Sequence, residues 1–313
     1  MKADRHLVNP TAILIPRVKD KQGWVHLDRC KIQRDDYGVL ATINTADGNK
    51  RIYLPVATLH SLLIGPGVSI TTPAIAATID SGCSISVVGA GATNYHTSIT
   101  PRQGSTSLLI SQAETVTNTS QRIQAARRLY QLRFHEPLPD GLSIETLRGM
   151  EGVRMKAIYK NLAQKNGIPK FKRTYDPHDY ENATPINQAL STANACLYAT
   201  VLTALHALRM SPGLGIIHTG HPRAFAHDIA DIYKHEVTIP LAFALANHDH
   251  PGQEARKRLA RDLRLLKLAP RIVRDINYVV TGIREEPPPR DTTVENLWTP
   301  TGDTPAGIQH DNR

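Results

Sequence analysis

The hydrophobic period of this chain changes once, and that change limits the folds open to it. Up to about residue 97 the apolar residues fall in short runs rich in β-branched side chains: TAILIPRV, WVHLDRCKI, GVLATINT, RIYLPV, GVSITT and CSISVVGAG. Gly, Pro and Asp divide them, which is the pattern of strands. One interruption, PAIAATIDSG, reads as a short helix begun by Pro73 and ended by Gly82. From Thr97 to Ser107 the residues turn small and polar, as in a linker. Beyond it the apolar residues recur every three or four positions in SLLISQAETVTNTSQRIQAARRLYQLRF, SIETLRGMEGVRMKAIYKNLAQ, INQALSTANACLYATVLTALHAL, EVTIPLAFALAN and QEARKRLARDLRLLKLAPRIVRDINYVV. That spacing is helical. The expected fold class is α+β in two domains: a small β-rich domain over 1–97, a linker over 98–107, and a larger all-helical domain over 108–284. The segment 285–313 is Pro- and acid-rich with few apolar residues and is expected to be a disordered, flexible tail. Its VENLW (Val294–Trp298) reads either as a docking segment or as a stray apolar pair.

At 313 residues the chain can bury two modest cores or one large one. The longest apolar stretch, ACLYATVLTALHAL, is too short for a membrane span and is broken by threonines and a histidine, so a buried helix is expected and no membrane partner. The start MKADRHLVNP lacks the apolar core of a signal peptide. Cys30, Cys83 and Cys196 form no CxxC pair, which argues against a disulfide framework and a zinc cage. Together these point to the cytoplasm. The net charge is +9, yet residues 284–313 hold three Lys/Arg against six Asp/Glu, so the first 283 residues carry +12. A basic body invites a polyanion, of which nucleic acid is the commonest.

The stretch GIIHTGHPRAFAHDIADIYKHE (Gly215–Glu236) sets polar groups where burial is costly. If Phe225–His235 is helical, each residue advances about 100°. Phe225, Ile229 and Ile232 then form the apolar stripe, Asp228, Asp231 and His235 share a neighbouring arc, and His227 and Lys234 point elsewhere. Buried carboxylates need a cation or an ion-pair partner. Arginines from a neighbouring helix would serve as well as a metal. His218 stands where an apolar segment meets the HTGHP turn, although one histidine among 14 carries little weight alone. His248 and His250 in ANHDHPG read as a solvated loop. In LRGMEGVRMK, Ser143 can cap a helix running through Glu151, with Gly149 and Gly152 on either side of that glutamate. Each internal glycine costs about 1 kcal/mol relative to alanine, which implies close approach of a helix or a phosphate chain. Without such a role, Glu151 would pair with Arg154.

One glutamate, one histidine and one or two aspartates make a mostly hard-oxygen donor set, suited to Mg2+ or Mn2+. Such ions clamp phosphate oxygens, so the set fits phosphodiester chemistry. In EARKRLARDLRLLK, Lys257, Arg261, Arg264 and Lys267 share one helical face opposite Leu259, Leu263 and Leu266, and Lys165, Lys170, Lys172 and Arg173 form a second basic cluster. Two basic clusters beside a candidate metal site favour DNA over a merely solvated face. With 5% aromatics, contacts to duplex backbone are expected over base stacking.

The motifs QLRF, LRGMEGVRMKAIYKNLAQKNG, YDPHDYENATPINQALSTANACLYA, GIIHTGHP and FAHDIADIYK, taken in order, resemble the CRISPR-associated protein one family, the adaptation integrase, and its type I-E branch. The resemblance covers the helical domain throughout and the β-domain by layout. It implies that Glu151 in GMEG, His218 in HTG and Asp231 in DIADIYK ligate the metal, with Asp228 as their acidic companion in catalysis. It also implies that Arg148, Tyr198 and Lys234 hold DNA near the site. The family forms homodimers through the β-domain, and two dimers flank a dimer of CRISPR-associated protein two. The assembly carries a short DNA fragment, the spacer precursor, and joins its 3′ ends to the first CRISPR repeat. His221 replaces the Lys or Asn of many relatives, and Asn94 an arginine of some.

On these residues three functions compete. The integrase reading has a 3′-hydroxyl attack the repeat phosphate. A hydrolytic metal-dependent DNA nuclease would use the same ligands with water instead. A non-catalytic architectural DNA-binding subunit would need none of them. A nucleotide phosphohydrolase has less to stand on, because no P-loop is present.

Overall fold

The computed structural model describes residues 23–46, 48–102, 104–169, 171–174, 180–265 and 268–284, without the side chains at 260 and 263–265, and the backbone of 296–299 and 302–305. The TAILIPRV run, Lys170, Lys267 and the Arg264 side chain lie outside the described residues.

The N-terminal part is β-rich. WVHLDRCKI, a single run in the sequence, is two strands, β1 (Trp24–Leu27) and β2 (Cys30–Asp35). They part at Arg29, whose φ of 48° turns the chain out of an extended path. There follow β3 (Gly38–Thr45), β4 (Gly48–Tyr53), β5 (Ser61–Ile64), β6 (Ser69–Ile70), α1 (Thr72–Asp80), β7 (Ser84–Val88) and β8 (Tyr95–Ile99). One sheet has the order β4-β3-β2-β6 and the other β1-β5-β7-β8. In the second, β1, β5 and β7 run parallel and β8 closes the edge antiparallel to β7. Ile32, Leu62, Ala74 and Cys83 pack into this region's core. The SLLI run of β5 is not among the strands expected from sequence, because it does not alternate. A parallel strand covered on both faces reads as a continuous apolar run. Its buried Ser61 hydroxyl is satisfied by the Ser84 carbonyl at 3.2 Å. The small polar stretch also begins later than its composition implies, because Thr97–Ile99 belong to β8.

Helices follow: α2 (Ser107–Thr117), α3 (Thr119–Phe134), α4 (Ile144–Lys165), α5 (Pro185–Ala207), α6 (Ala224–Tyr233), α7 (Ile239–Ala244), α8 (Pro251–Leu265) and α9 (Leu268–Thr281). One stretch that suits a single helix is broken in two at Asn118, which ends α2 and caps α3 by accepting from the Gln121 N–H at 3.0 Å. α5 carries the centre of the core, with Ala189, Ala193, Leu197, Val201, Ala204 and Leu205 buried along it. After α6 the chain winds into a π-turn over Lys234–Thr238. Pro240, in the first turn of α7, supplies the reason: it has no N–H for the carbonyl four residues back, so the ladder slips to a wider ring. In the tail, Asn296–Thr299 pair antiparallel with Gly302–Pro305, a short ladder within the segment expected to be disordered. No helix among the described residues is long and apolar enough to cross a membrane. Cys30, Cys83 and Cys196 are buried and unbridged, and burial pushes the Cys196 thiol up to about 12.

Leu197, fully buried on α5, tests this arrangement. Leu197→Ala is expected to cost about 2–5 kcal/mol, the range for a leucine truncated in a close-packed interior. It would be read as a lower urea midpoint at an unchanged slope.

Candidate active site

Four elements meet at one end of the helical region: α3, α4, α6 and the segment from Ser211 to His218. That segment has no regular hydrogen-bonding of its own, so side chains must hold it. Gln112 of α2, fully buried, donates to the carbonyls of Ser211 (2.8 Å) and Leu214 (3.1 Å) and accepts from the Ser211 N–H (3.0 Å). Arg122 of α3 donates to the Ile216 carbonyl at 2.9 Å. Gly215 is obligatory, since a Cβ there would lie 2.2 Å from the His218 carbonyl oxygen.

Asp228 of α6 completes the grip. One carboxylate oxygen accepts from the N–H groups of Ile216 (2.6 Å) and Ile217 (3.0 Å), and the other from the His218 N–H (3.0 Å) and its Nδ1 (2.7 Å). The side chain is 0% exposed and all its partners are donors. An ionised carboxylate only accepts, so His218 Nδ1 must carry the proton and Nε2 is left free. The carboxylate fixes the ring's tautomer and direction, as carboxylates commonly do behind metal-bound histidines. The hydrogen bond that His218 donates to Asp228 raises its pKa above the ordinary value, burial opposing.

His218 Nε2 faces Asp231, 4.0 Å from its Oδ2. Asp231 also meets Lys234 Nζ at 2.6 Å and Arg133 at 3.5 Å. Burial works against its charge, but Lys234 and Arg133 outweigh that and hold its carboxyl below the usual range. Arg133, only 4% exposed, donates to Glu151 Oε1 of α4 at 2.7 Å and to the Asp228 carbonyl at 3.2 Å. Its Nε has no partner among the described residues. Burial would lower its pKa, yet Asp231, Glu151 and Asp228 together raise it. One buried guanidinium thus ties α3 to both acids.

The structure brings Glu151, His218, Asp228 and Asp231 to this one end, and corrects four readings. Glu151 pairs with Arg133, not with Arg154, which meets Glu136 at 3.6 Å. Lys234 does not point elsewhere. Its long side chain folds back onto Asp231, and its Nζ lies 5.0 Å from the Tyr198 ring centroid of α5. His235 leaves the aspartates for His135 at the end of α3. No element among the described residues explains Gly149 and Gly152, since a Cβ on either would meet none of their atoms within 4 Å. Ser143 does cap α4, accepting from the Thr146 N–H at 3.2 Å. Arg148 is exposed one turn before Glu151. Lys257 and Arg261 are exposed on α8, Arg261 beside Asp262 at 3.0 Å. His248 and His250 sit on an exposed loop.

Arg133 has no role in the reading from sequence, although a signal is present. Ala126, Leu129, Tyr130, Arg133 and Phe134 form the buried stripe of α3, so an arginine falls at a core position. A buried arginine requires carboxylates nearby. His227 is a second such residue: its ring stacks on His221 (centroids 4.8 Å apart) and lies 5.0 Å from Tyr198. Burial, then His221 and His218, lower its pKa. These rings line a cavity of about 560 Å³ beside the acids, closed by Tyr95 and Asn94 from the β-rich part, Tyr159 of α4, Arg173, Arg223 and Lys234.

As a metal centre, the donor set is chemically apt: a tautomer-fixed imidazole and two carboxylates carried on three separate elements. Among the described residues no three His, Cys, Asp or Glu side chains stand close enough to share one ion. Arg133 lies bonded between Glu151 and Asp231.

The model of the family described as CRISPR associated protein Cas1 matches residues 25–136 and 131–265. A CRISPR-associated endonuclease Cas1 from Clostridium sp. (strain SY8519) is 36% identical over 306 residues, covering 95% of this chain and 99% of that protein. A CRISPR-associated endonuclease Cas1 2 from Thermus thermophilus is 31% identical over 303 residues, covering 95% and 92%. Among solved structures, the crystal structure of a TtCas1–DNA complex superposes with a TM-score of 0.73 at 30% identity, over 84% of this chain and 98% of that one.

Asp228→Asn keeps the shape but replaces an acceptor with a donor facing backbone N–H groups. A cost of about 1–3 kcal/mol in denaturant unfolding is expected for the donors left unsatisfied. Nitrogen-15 spectra of the His218 ring should lose the Nδ1–H tautomer. Unchanged stability and tautomer would show that Asp228 does not support the turn.

Proposed function

The chain belongs to the CRISPR-associated protein Cas1 family, and on that premise we propose that it is the adaptation integrase of the type I-E branch, joining the 3′ ends of short DNA fragments to a CRISPR repeat. The observation that carries this reading is the convergence of Glu151, His218 and Asp231 around Arg133, with His218 oriented by Asp228. The related TtCas1 was solved with DNA. The exposed α4 backbone at Gly149 and Gly152 leaves room for a phosphate chain beside Glu151.

In this reading Glu151, His218 and Asp231 would hold Mg2+ or Mn2+, which would supply Lewis-acid activation of the 3′-hydroxyl and offset charge on the attacked phosphate. The remaining work falls to this chain's residues. Asp228 keeps the His218 lone pair on Nε2. Arg133 holds the two acids near one another against their mutual repulsion. Lys234, Arg148 and Tyr198 bind DNA beside them. The fragment's 3′-oxygen forms the new phosphodiester, and the repeat's broken strand leaves with a 3′-hydroxyl that takes up a proton. No side-chain nucleophile is needed, so catalysis rests on positioning and electrostatics. Lys257, Arg261, Arg264 and Lys267 serve as a phosphate-binding face further out. The β-rich part, 1–97, forms the homodimer, and two dimers flank CRISPR-associated protein two in the cytoplasm; residues 98–107 link it to the catalytic part, 108–284.

The decisive experiment uses a labelled branched DNA that mimics the half-integrated product, incubated with the protein alone and with Mg2+ or Mn2+. Metal-dependent resealing of the target strand is expected, and Glu151→Ala, His218→Ala and Asp231→Ala should each abolish it with DNA binding nearly intact. Nicked products without resealing would establish the hydrolytic nuclease. Equal activity in Glu151→Ala would remove that residue from the site.

Charge reversal at Lys257 and Arg261 should weaken DNA binding and flatten its salt dependence, by about 0.9 in log–log slope for each phosphate that is no longer neutralised. An unaltered slope would show that α8 faces away from DNA.

A further inference from the structure

Two His-Glu dipeptides lie outside the chemistry described above: His135-Glu136 in FHEP and His235-Glu236 in KHEV. The first ends α3, where His135 takes the left-handed conformation (φ 56°) with its N–H on the Gln131 carbonyl. The second lies in the π-turn. The fold brings them together, with the two Nε2 atoms 3.1 Å apart and the ring centroids 5.1 Å apart at 56°. We infer that His135 and His235 form a second metal site, for a late first-row divalent ion such as Zn2+, Ni2+ or Cu2+, separate from the Glu151–His218–Asp231 set.

The distance fits. Two nitrogens bound to one ion at ~2.0–2.1 Å in a tetrahedral arrangement stand roughly 3.3 Å apart, close to the separation seen. The His235 nitrogen is also available. Burial, then His135 and Arg154, push the His235 imidazole down to about 4, so its ring is neutral at physiological pH, the form that binds metal. The surrounding charge is balanced. Arg154 is met by Glu136 at 3.6 Å and Arg271 by Glu236 at 2.8 Å, so each guanidinium near the pair has its own carboxylate. Imidazole pairs select zinc, nickel and copper over magnesium, whereas the acid-rich set selects hard ions, so the two sites sort different metals. Position gives the site a consequence. His135 lies two residues beyond Arg133, and His235 directly follows Lys234. An ion here would cross-link the end of α3 to the π-turn and so fix the two cations that neutralise Asp231. The competing arrangement is a plain N–H···N hydrogen bond, with one ring donating to the other.

The test uses full-length protein carrying Glu151→Ala and His218→Ala, which removes ligands of the other set. Cu2+ is titrated and followed by electron paramagnetic resonance, and Zn2+ binding is measured by competition. One equivalent of Cu2+ with nitrogen couplings, undisturbed by millimolar Mg2+, is expected. Affinity should fall at least about tenfold on either His135→Asn or His235→Gln, asparagine being chosen because it tolerates the left-handed conformation. Circular dichroism confirms that each variant folds. Should the parent bind no copper, or bind it as well without either histidine, the pair is a hydrogen bond and the second site does not exist.

Discussion

The site hangs on the Asp228 carboxylate. The residues that lead into His218 form neither helix nor strand, and their N–H groups point inward. Asp228 answers three of those N–H groups and the imidazole with two oxygens. Without it the turn would expose unsatisfied donors to a buried environment, and the ring would have no preferred tautomer. A carboxylate with every acceptor direction occupied is a poor ligand, so the work divides. Asp228 builds, while Asp231, one turn on, keeps its carboxylate for charge.

Around Asp231 the balance is electrostatic. Two carboxylates and an imidazole would disperse if left alone. Arg133 and Lys234 hold them, Arg133 from the buried stripe of one helix and Lys234 from the start of the π-turn. Arg133 is costly to bury, and its Nε remains without a partner among the described residues. Its position is sustained because it meets Glu151, Asp231 and the Asp228 carbonyl at once. Such a group fixes relative placement of α3, α4 and α6 more than it adds to stability.

The change of period is legible in the sequence, as are the aspartates of α6, because polar residues interrupt an apolar stripe there. Other features are hidden for separate physical reasons. After Ser61, β5 is an unbroken apolar run, so periodicity cannot separate it from its surroundings. Asn118 divides two helices without a proline or glycine to mark the break. A helical wheel misplaces Lys234 because it reports where Cα–Cβ bonds point, whereas a four-carbon side chain can fold back by a turn. Arg133 is readable in principle, but arginine on an amphipathic helix is ordinarily at the surface. The Arg133–Glu151 pairing crosses from α3 to α4 and the His135–His235 pairing spans 100 residues, and no local pattern encodes either.

The π-turn set by Pro240 has an effect that extends along the chain. One additional residue in the winding rotates everything after it by about 100° relative to an uninterrupted α-helix. The faces of α6 and α7 are therefore out of phase. Before the turn, Asp228 and Asp231 serve the site while Phe225, Ile229 and Ile232 pack into the core; after it, Leu241, Ala242 and Phe243 join the same core from a rotated face.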